Sequence, residues 1–148
     1  MKNLDIPPVW LALFIIAAWA LTKLAPEYAI DFRWQGEVAF VLLMVAVVLI
    51  GLAVYEIWQA GTTLHPHRDA DALVTKGIYR LSRNPIYLGD LLILLAFVIW
   101  MGVWIALPMV ALLQFLLGRR FIAGEETRLA DKFGEDYGKW QQSTRRWI

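Results

Sequence analysis

Arg83, Tyr87, Glu125 and Glu126 are the residues whose types could together hold a charged ligand. A guanidinium binds a carboxylate or phosphate through paired donors, adjacent carboxylates accept from an ammonium or a hydroxyl, and a phenol ring attracts a cation over its face. Arg83 stands in the run Gly77-Ile78-Tyr79-Arg80-Leu81-Ser82-Arg83-Asn84-Pro85-Ile86-Tyr87-Leu88-Gly89. Pro85 suits a first helical turn, with Asn84 as its N-cap. An arginine just before an apolar helix can hold an anion or simply reach a lipid headgroup, and the sequence leaves both readings open. The adjacent acids of Gly124-Glu125-Glu126-Thr127-Arg128 suit a helix N-terminus by their interaction with its dipole. Should the fold bring them beside Arg83 and Tyr87, a zwitterion carrying an ammonium and a carboxylate would match the set.

Other ionisable residues are weaker candidates. Asp90 and Glu56 sit at the edges of apolar runs, where burial is costly and often functional. Asp90 adjoins the arginine motif and is the better candidate. His67, in His65-Pro66-His67, could serve as a general base, although a loop histidine pair is more commonly plain polar loop. Cysteine is absent and there are two histidines, which argues against disulfides, thiolate chemistry and a metal site.

These residues have to be positioned by membrane helices. The chain has 148 residues, 59% of them hydrophobic, and a mean hydropathy of +0.54, well above a soluble domain. Pro7 to Ala25 reads as a first, retained span between helix-starting prolines and the stop at Pro26. Val38 to Val54, extended to Trp58, reads as the second. Leu91 to Leu113 lacks charge and is either one long span or a hairpin turning at Trp100-Met101-Gly102-Val103-Trp104. The basic residues favour the hairpin, because it places all of the 14 Lys and Arg except Lys23 and Arg33 on one side, as the positive-inside rule requires. A net charge of +1 argues against nucleic acid as a partner.

The expected architecture is therefore an all-α polytopic membrane protein forming a single domain over 1–148. Four transmembrane helices, at about 7–25, 38–58, 85–101 and 103–121, end in a hairpin, with a loop at 61–84 and a tail at 122–148. Both termini would be cytoplasmic, in what is expected to be a prokaryotic inner membrane. The tail reads as two short amphipathic helices, Glu125 to Phe133 and Glu135 to Trp147, broken near Gly134. Their stripe of Leu129, Phe133, Tyr137 and Trp140 could lie on the bilayer surface.

Three ordered segments carry a family likeness: Leu73 to Arg80, then Arg83-Asn84-Pro85-Ile86-Tyr87-Leu88-Gly89, then Glu125-Glu126 with Phe133-Gly134-Glu135-Asp136-Tyr137. Together they resemble the isoprenylcysteine carboxyl methyltransferase family and its phospholipid methyltransferase relatives. The resemblance implies an S-adenosylmethionine-dependent methyltransferase acting on a lipophilic or lipid acceptor at the cytoplasmic face, surrounded by membrane lipids. It implies that Tyr79, Arg83, Pro85, Tyr87 and Gly89 shape one side of a cofactor pocket and Glu125 and Glu126 the other. Gly89 would then let the cofactor approach the helix backbone. Arg83, Asp90 and His67 are the candidates for catalysis. Asn84 stands where the eukaryotic prenylcysteine enzymes commonly carry histidine, and the N-terminal end is shorter, both of which argue against a prenylated-protein substrate. Competing readings are an NADPH-dependent membrane reductase, whose cofactor region looks similar, and a non-enzymatic membrane scaffold. Reporter fusions at the two termini should report the same side of the membrane; opposite sides would contradict the hairpin.

Overall fold

The computed structural model describes residues 5–62 and 71–148, and His67 lies outside them. The protein is an all-α polytopic membrane protein. Helix α1 (Pro7–Leu24) begins on two prolines, whose missing N–H groups cost nothing in a first turn, and stops before Pro26. Helix α2 (Gln35–Gln59) is the longest uninterrupted apolar helix. Helix α3 (Pro85–Trp100) starts at Pro85. Its 16 residues rise about 24 Å, somewhat less than a hydrocarbon core of roughly 30 Å. A 3-10 turn (Trp104–Ala106), helix α4 (Leu107–Leu117) and a π-helical segment (Gly118–Ile122) lead without a break into helix α5 (Ala123–Ser143).

The third apolar stretch folds back as a hairpin. Gly102 adopts φ +66°, a left-handed conformation that costs glycine little, and a side chain there would also collide with Asp31. The connection between α1 and α2 clasps this turn from outside. Ile30 N–H donates to Gly102 O at 2.9 Å, Gln35 Nε2 donates to Trp100 O at 2.8 Å and Trp104 Nε1 to Ile30 O at 2.9 Å. Both connections therefore lie at one end of the bundle, and Arg83, Tyr87, Asp90, Glu125 and Glu126 lie at the other.

Helix α3 is the hub, with α1 and α4 against one side and α2 against another. Its buried Leu94 and Val98 join Phe14 and Ala18 of α1 and Leu113 and Leu117 of α4 in one core. Helix α2 buries only Ala39, Ala46, Ala53 and Ile57, a narrow stripe spaced about two turns apart, while Phe40, Val41, Val48 and Leu52 stay exposed. Such a pattern suits a helix that packs through small residues and turns the rest of its surface to lipid.

Of two sequence expectations for the tail, one holds and one changes. Within α5 the tail is two helical stretches broken at Gly134, where φ is +48°, as its sequence implies. Its stripe faces the protein rather than the bilayer: Tyr137 and Trp140 are buried, and Leu129 and Phe133 pack with them on Ile57, Ile78 and Tyr79. The loop before α3 supplies that apolar partner, and Tyr79 O accepts from Trp140 Nε1 at 3.0 Å, which removes the cost of burying the indole N–H.

Helices α2 and α3 approach each other closely at Gly89. A Cβ there would stand 2.5 Å from Ile50 Cγ1 and 3.3 Å from Ala46 O. Gly89→Leu should destabilise the protein by about 1–3 kcal/mol through overpacking, read as a shift in the unfolding midpoint in mixed micelles. An unchanged midpoint would contradict this packing.

Candidate active site

Three parts of the chain meet at the polar end of the bundle. The first is the loop before α3. Gly77 (φ +54°) opens a 3-10 turn, Gly77–Arg80, in a left-handed conformation that favours glycine, with the Glu56 carboxylate beside it where a side chain would begin. The turn buries Ile78 and Tyr79. Burial first, then the nearby Glu125 and Glu56 carboxylates, push the Tyr79 phenol well above its ordinary range, so its hydroxyl stays protonated at physiological pH.

The second part is the helix following α4. Glu125 and Glu126 fall in the first turn of α5, but the π segment runs directly into it and Ile122 and Ala123 are themselves helical. Amides there are already bonded, so the dipole account of the two acids fails: this helix has no free N-terminus. The acids are held by side chains instead. Tyr87 Oη donates to Glu125 Oε1 at 2.6 Å. Arg83 Nη1 lies 3.1 Å from Glu126 Oε1, with the two side chains 10% and 15% exposed, and 3.4 Å from Tyr137 Oη.

The third part went unrecognised in the sequence. The C-terminal segment after α5 folds back under the arginine loop. Arg83 N–H donates to Arg145 O at 3.0 Å, Asn84 Nδ2 donates to Arg146 O at 2.9 Å, and Ser82 Oγ also reaches Arg146 O. Arg146 Nε donates to Glu126 Oε1 at 3.1 Å and its Nη2 pairs with Oε2. Glu126 is therefore bracketed by two guanidiniums. Asn84 does occupy the N-cap position of α3, but its side chain makes no cap bond, being committed to the C-terminal segment. Arg146 had counted only as one basic residue among many, and no short-range pattern marks its backbone contacts.

These parts enclose a cavity of about 780 Å³, within the usual size of small-molecule sites. Tyr79, Arg83, Pro85, Tyr87, Asp90, Glu125 and Glu126 all line it. Gly89 does not, since its open face is used against α2. Ile50 and Val54 of α2 and Pro7 of α1 extend the lining into the apolar bundle, so one end is charged and the other greasy. Asp90 is 6% exposed, and neither its Oδ2 nor the Nε of Arg83 has a hydrogen-bond partner among the described residues. Buried polar atoms of this kind are infrequent and call for an explanation. No group of three or more His, Cys, Asp or Glu suited to a metal occurs among the described residues.

A helical membrane protein with a two-ended cavity closed by an arginine loop and a pair of acids is the class this geometry defines. The chain belongs to the phospholipid methyltransferase family, a family of methyltransferases with lipid-type substrates, whose model matches residues 34–136. An uncharacterized protein of Haemophilus influenzae (strain ATCC 51907 / DSM 11121 / KW20 / Rd) is 42% identical over 62 residues, covering 42% of this chain and 98% of that relative. The matched region holds the motif loop and both acids. Helix α1 and Arg146 lie outside it.

The two arginines on Glu126 differ in solvent access, Arg83 being 10% and Arg146 44% exposed. Losing Arg83 leaves a nearly buried carboxylate short of a partner and should cost about 3 kcal/mol. Losing Arg146 removes a more solvated contact and should cost about 1 kcal/mol. Unfolding of Arg83→Gln and Arg146→Gln in mixed micelles checks the order, and equal costs would contradict it.

Proposed function

We propose that residues 1–148 form one catalytic domain, an S-adenosylmethionine-dependent methyltransferase acting on a lipophilic or lipid acceptor at the cytoplasmic face of a prokaryotic inner membrane. The observation that carries this reading is the pairing of Arg83 with Glu126 and of Tyr87 with Glu125 across one cavity, with family membership supplying the reaction class.

The residues present fit that cofactor. Arg83, with a buried and unpartnered Nε, is suited to a carboxylate. Glu125 and Glu126 are the acids for an ammonium or a ribose hydroxyl, Glu126 being oriented by Arg83 and Arg146. Tyr79 and Tyr87 offer π-faces for an adenine or a sulfonium, and Pro85 shapes the wall beside them. Bound S-adenosylmethionine supplies an electrophilic methyl group, so the protein has chiefly to align donor and acceptor and to exclude water. The apolar lining from α1 and α2 does the second and receives the acceptor's hydrocarbon part.

For an amine acceptor a proton has to leave, and Asp90, buried at the junction of the charged and apolar ends, takes it. His67 remains a second candidate for that role. For a carboxylate acceptor no base is needed, because cation and anion neutralise one another, and a low-dielectric site favours that loss of charge.

Calorimetry on purified protein tests the reading. S-adenosylhomocysteine should bind and NADPH should not. Arg83→Ala and Glu126→Gln should each weaken S-adenosylhomocysteine binding at least about tenfold, as expected for charge-assisted contacts, while both variants still insert. Binding of NADPH alone would favour a reductase, binding of neither a scaffold, and unchanged affinity in both variants would remove the assignment of the site.

A further inference from the structure

On the outer side of the acid pair lies a second concavity, of about 690 Å³, that methyl transfer does not use. Ala111, Gln114, Phe115 and Gly118 line it at helical spacing along α4 and the start of the π segment, and Arg119, Arg146 and Trp147 close its polar end. The C-terminal segment forms this second wall by folding back over the helix.

The arrangement has the polarity of a lipid. Ala111 and Phe115 lie on the apolar helix α4 and are exposed, whereas the first charges after it are Arg119 and Arg120. Running from Ala111 to Arg119, the groove therefore passes from hydrocarbon depth to the headgroup level. Gly118 leaves its floor open, since nothing stands within 4 Å of where its Cβ would be. No carboxylate lines the groove. Arg119 forms no ion pair among the described residues; its guanidinium lies over the Phe115 ring at 5.4 Å, which places the cation above the apolar part of the groove. Arg146 keeps its side chain 44% exposed while holding Glu126, so donors remain for a second anion.

We propose that this groove is a binding site for an anionic phospholipid, its phosphate held between Arg119 and Arg146 and one acyl chain lying along Ala111 and Phe115. Gln114 and the Trp147 indole flank the glycerol level, where amphipathic side chains are favoured. The site is separate from the methyl-transfer cavity and stands whether or not that cavity binds a sulfonium cofactor. Arg146 lines this groove and also contacts Glu126 of the main cavity.

Native mass spectrometry of the detergent-released full chain tests the proposal, using phosphatidylglycerol, phosphatidylcholine with the same acyl chains, and inorganic phosphate as probes. Phosphatidylglycerol should remain bound at collision energies that remove phosphatidylcholine. Removing one interfacial cation in Arg119→Gln should lower its retention about fivefold, and Gly118→Leu, which fills the floor while keeping both arginines in the sequence, should lower it similarly. Circular dichroism confirms that each variant keeps its helices. Equal retention of the two lipids would mean ordinary annular lipid and overturn the proposal, as would unchanged retention in both variants. Displacement of phosphatidylglycerol by millimolar inorganic phosphate would assign the arginines to a free anion and not to a lipid.

Discussion

The ion pair between Arg83 and Glu126 is the contact on which the site depends. Both side chains are nearly buried at the boundary of an apolar bundle, where an unpartnered charge is costly and a paired one is tolerated. The pair can form only if the chain turns back between its two members. That turn rests on Gly102 in a left-handed conformation and on the α1–α2 connection that grips it from outside. A clasp at one end of the bundle thus sets a charge contact at the other, with α3 as the rigid element between them.

The same arrangement explains why one small chain can present both a charged and an apolar surface to a ligand. Helix α3 carries Tyr87 and Asp90 on its first turns and the main core on its later ones. Close packing at Gly89 holds it against α2, whose buried residues are the alanine stripe and Ile57. Ile50 and Val54 then reach the cavity from α2 while the acids reach it from α5. A water-soluble group and a hydrocarbon group can be held in register without either being forced into the other's solvent.

Much of this was legible in the residues. The asymmetry of Lys and Arg, together with Gly102 flanked by tryptophans, was enough to choose the hairpin, because both signals are local or additive along the chain. The meeting of Arg83 and Tyr87 with the acids followed from that choice. What could not be read depends on contacts between distant segments. The Leu129, Phe133, Tyr137 and Trp140 stripe has the same periodicity whether it faces lipid or protein, and only the Tyr79 turn decides between them. Gly89 looked like an approach for a ligand because glycine admits any close neighbour, and the neighbour turned out to be α2. Glu125 and Glu126 looked like helix-start acids because nothing in their spacing reveals that α4 runs into α5 through a π segment. Arg146 enters through main-chain carbonyls near the C-terminus, which carry no side-chain signature at all.

The central claim is that the loop before α3 and the helix after α4 share one end of the bundle. Leu81 and Lys139 are well exposed and flank the Tyr79–Trp140 hydrogen bond, and a chain without cysteine can be spin-labelled at these two positions alone. Pulsed electron paramagnetic resonance in lipid nanodiscs should give a narrow distance distribution well below the roughly 30 Å of the hydrocarbon core. A distribution centred beyond that thickness would place the two segments on opposite faces and contradict the account.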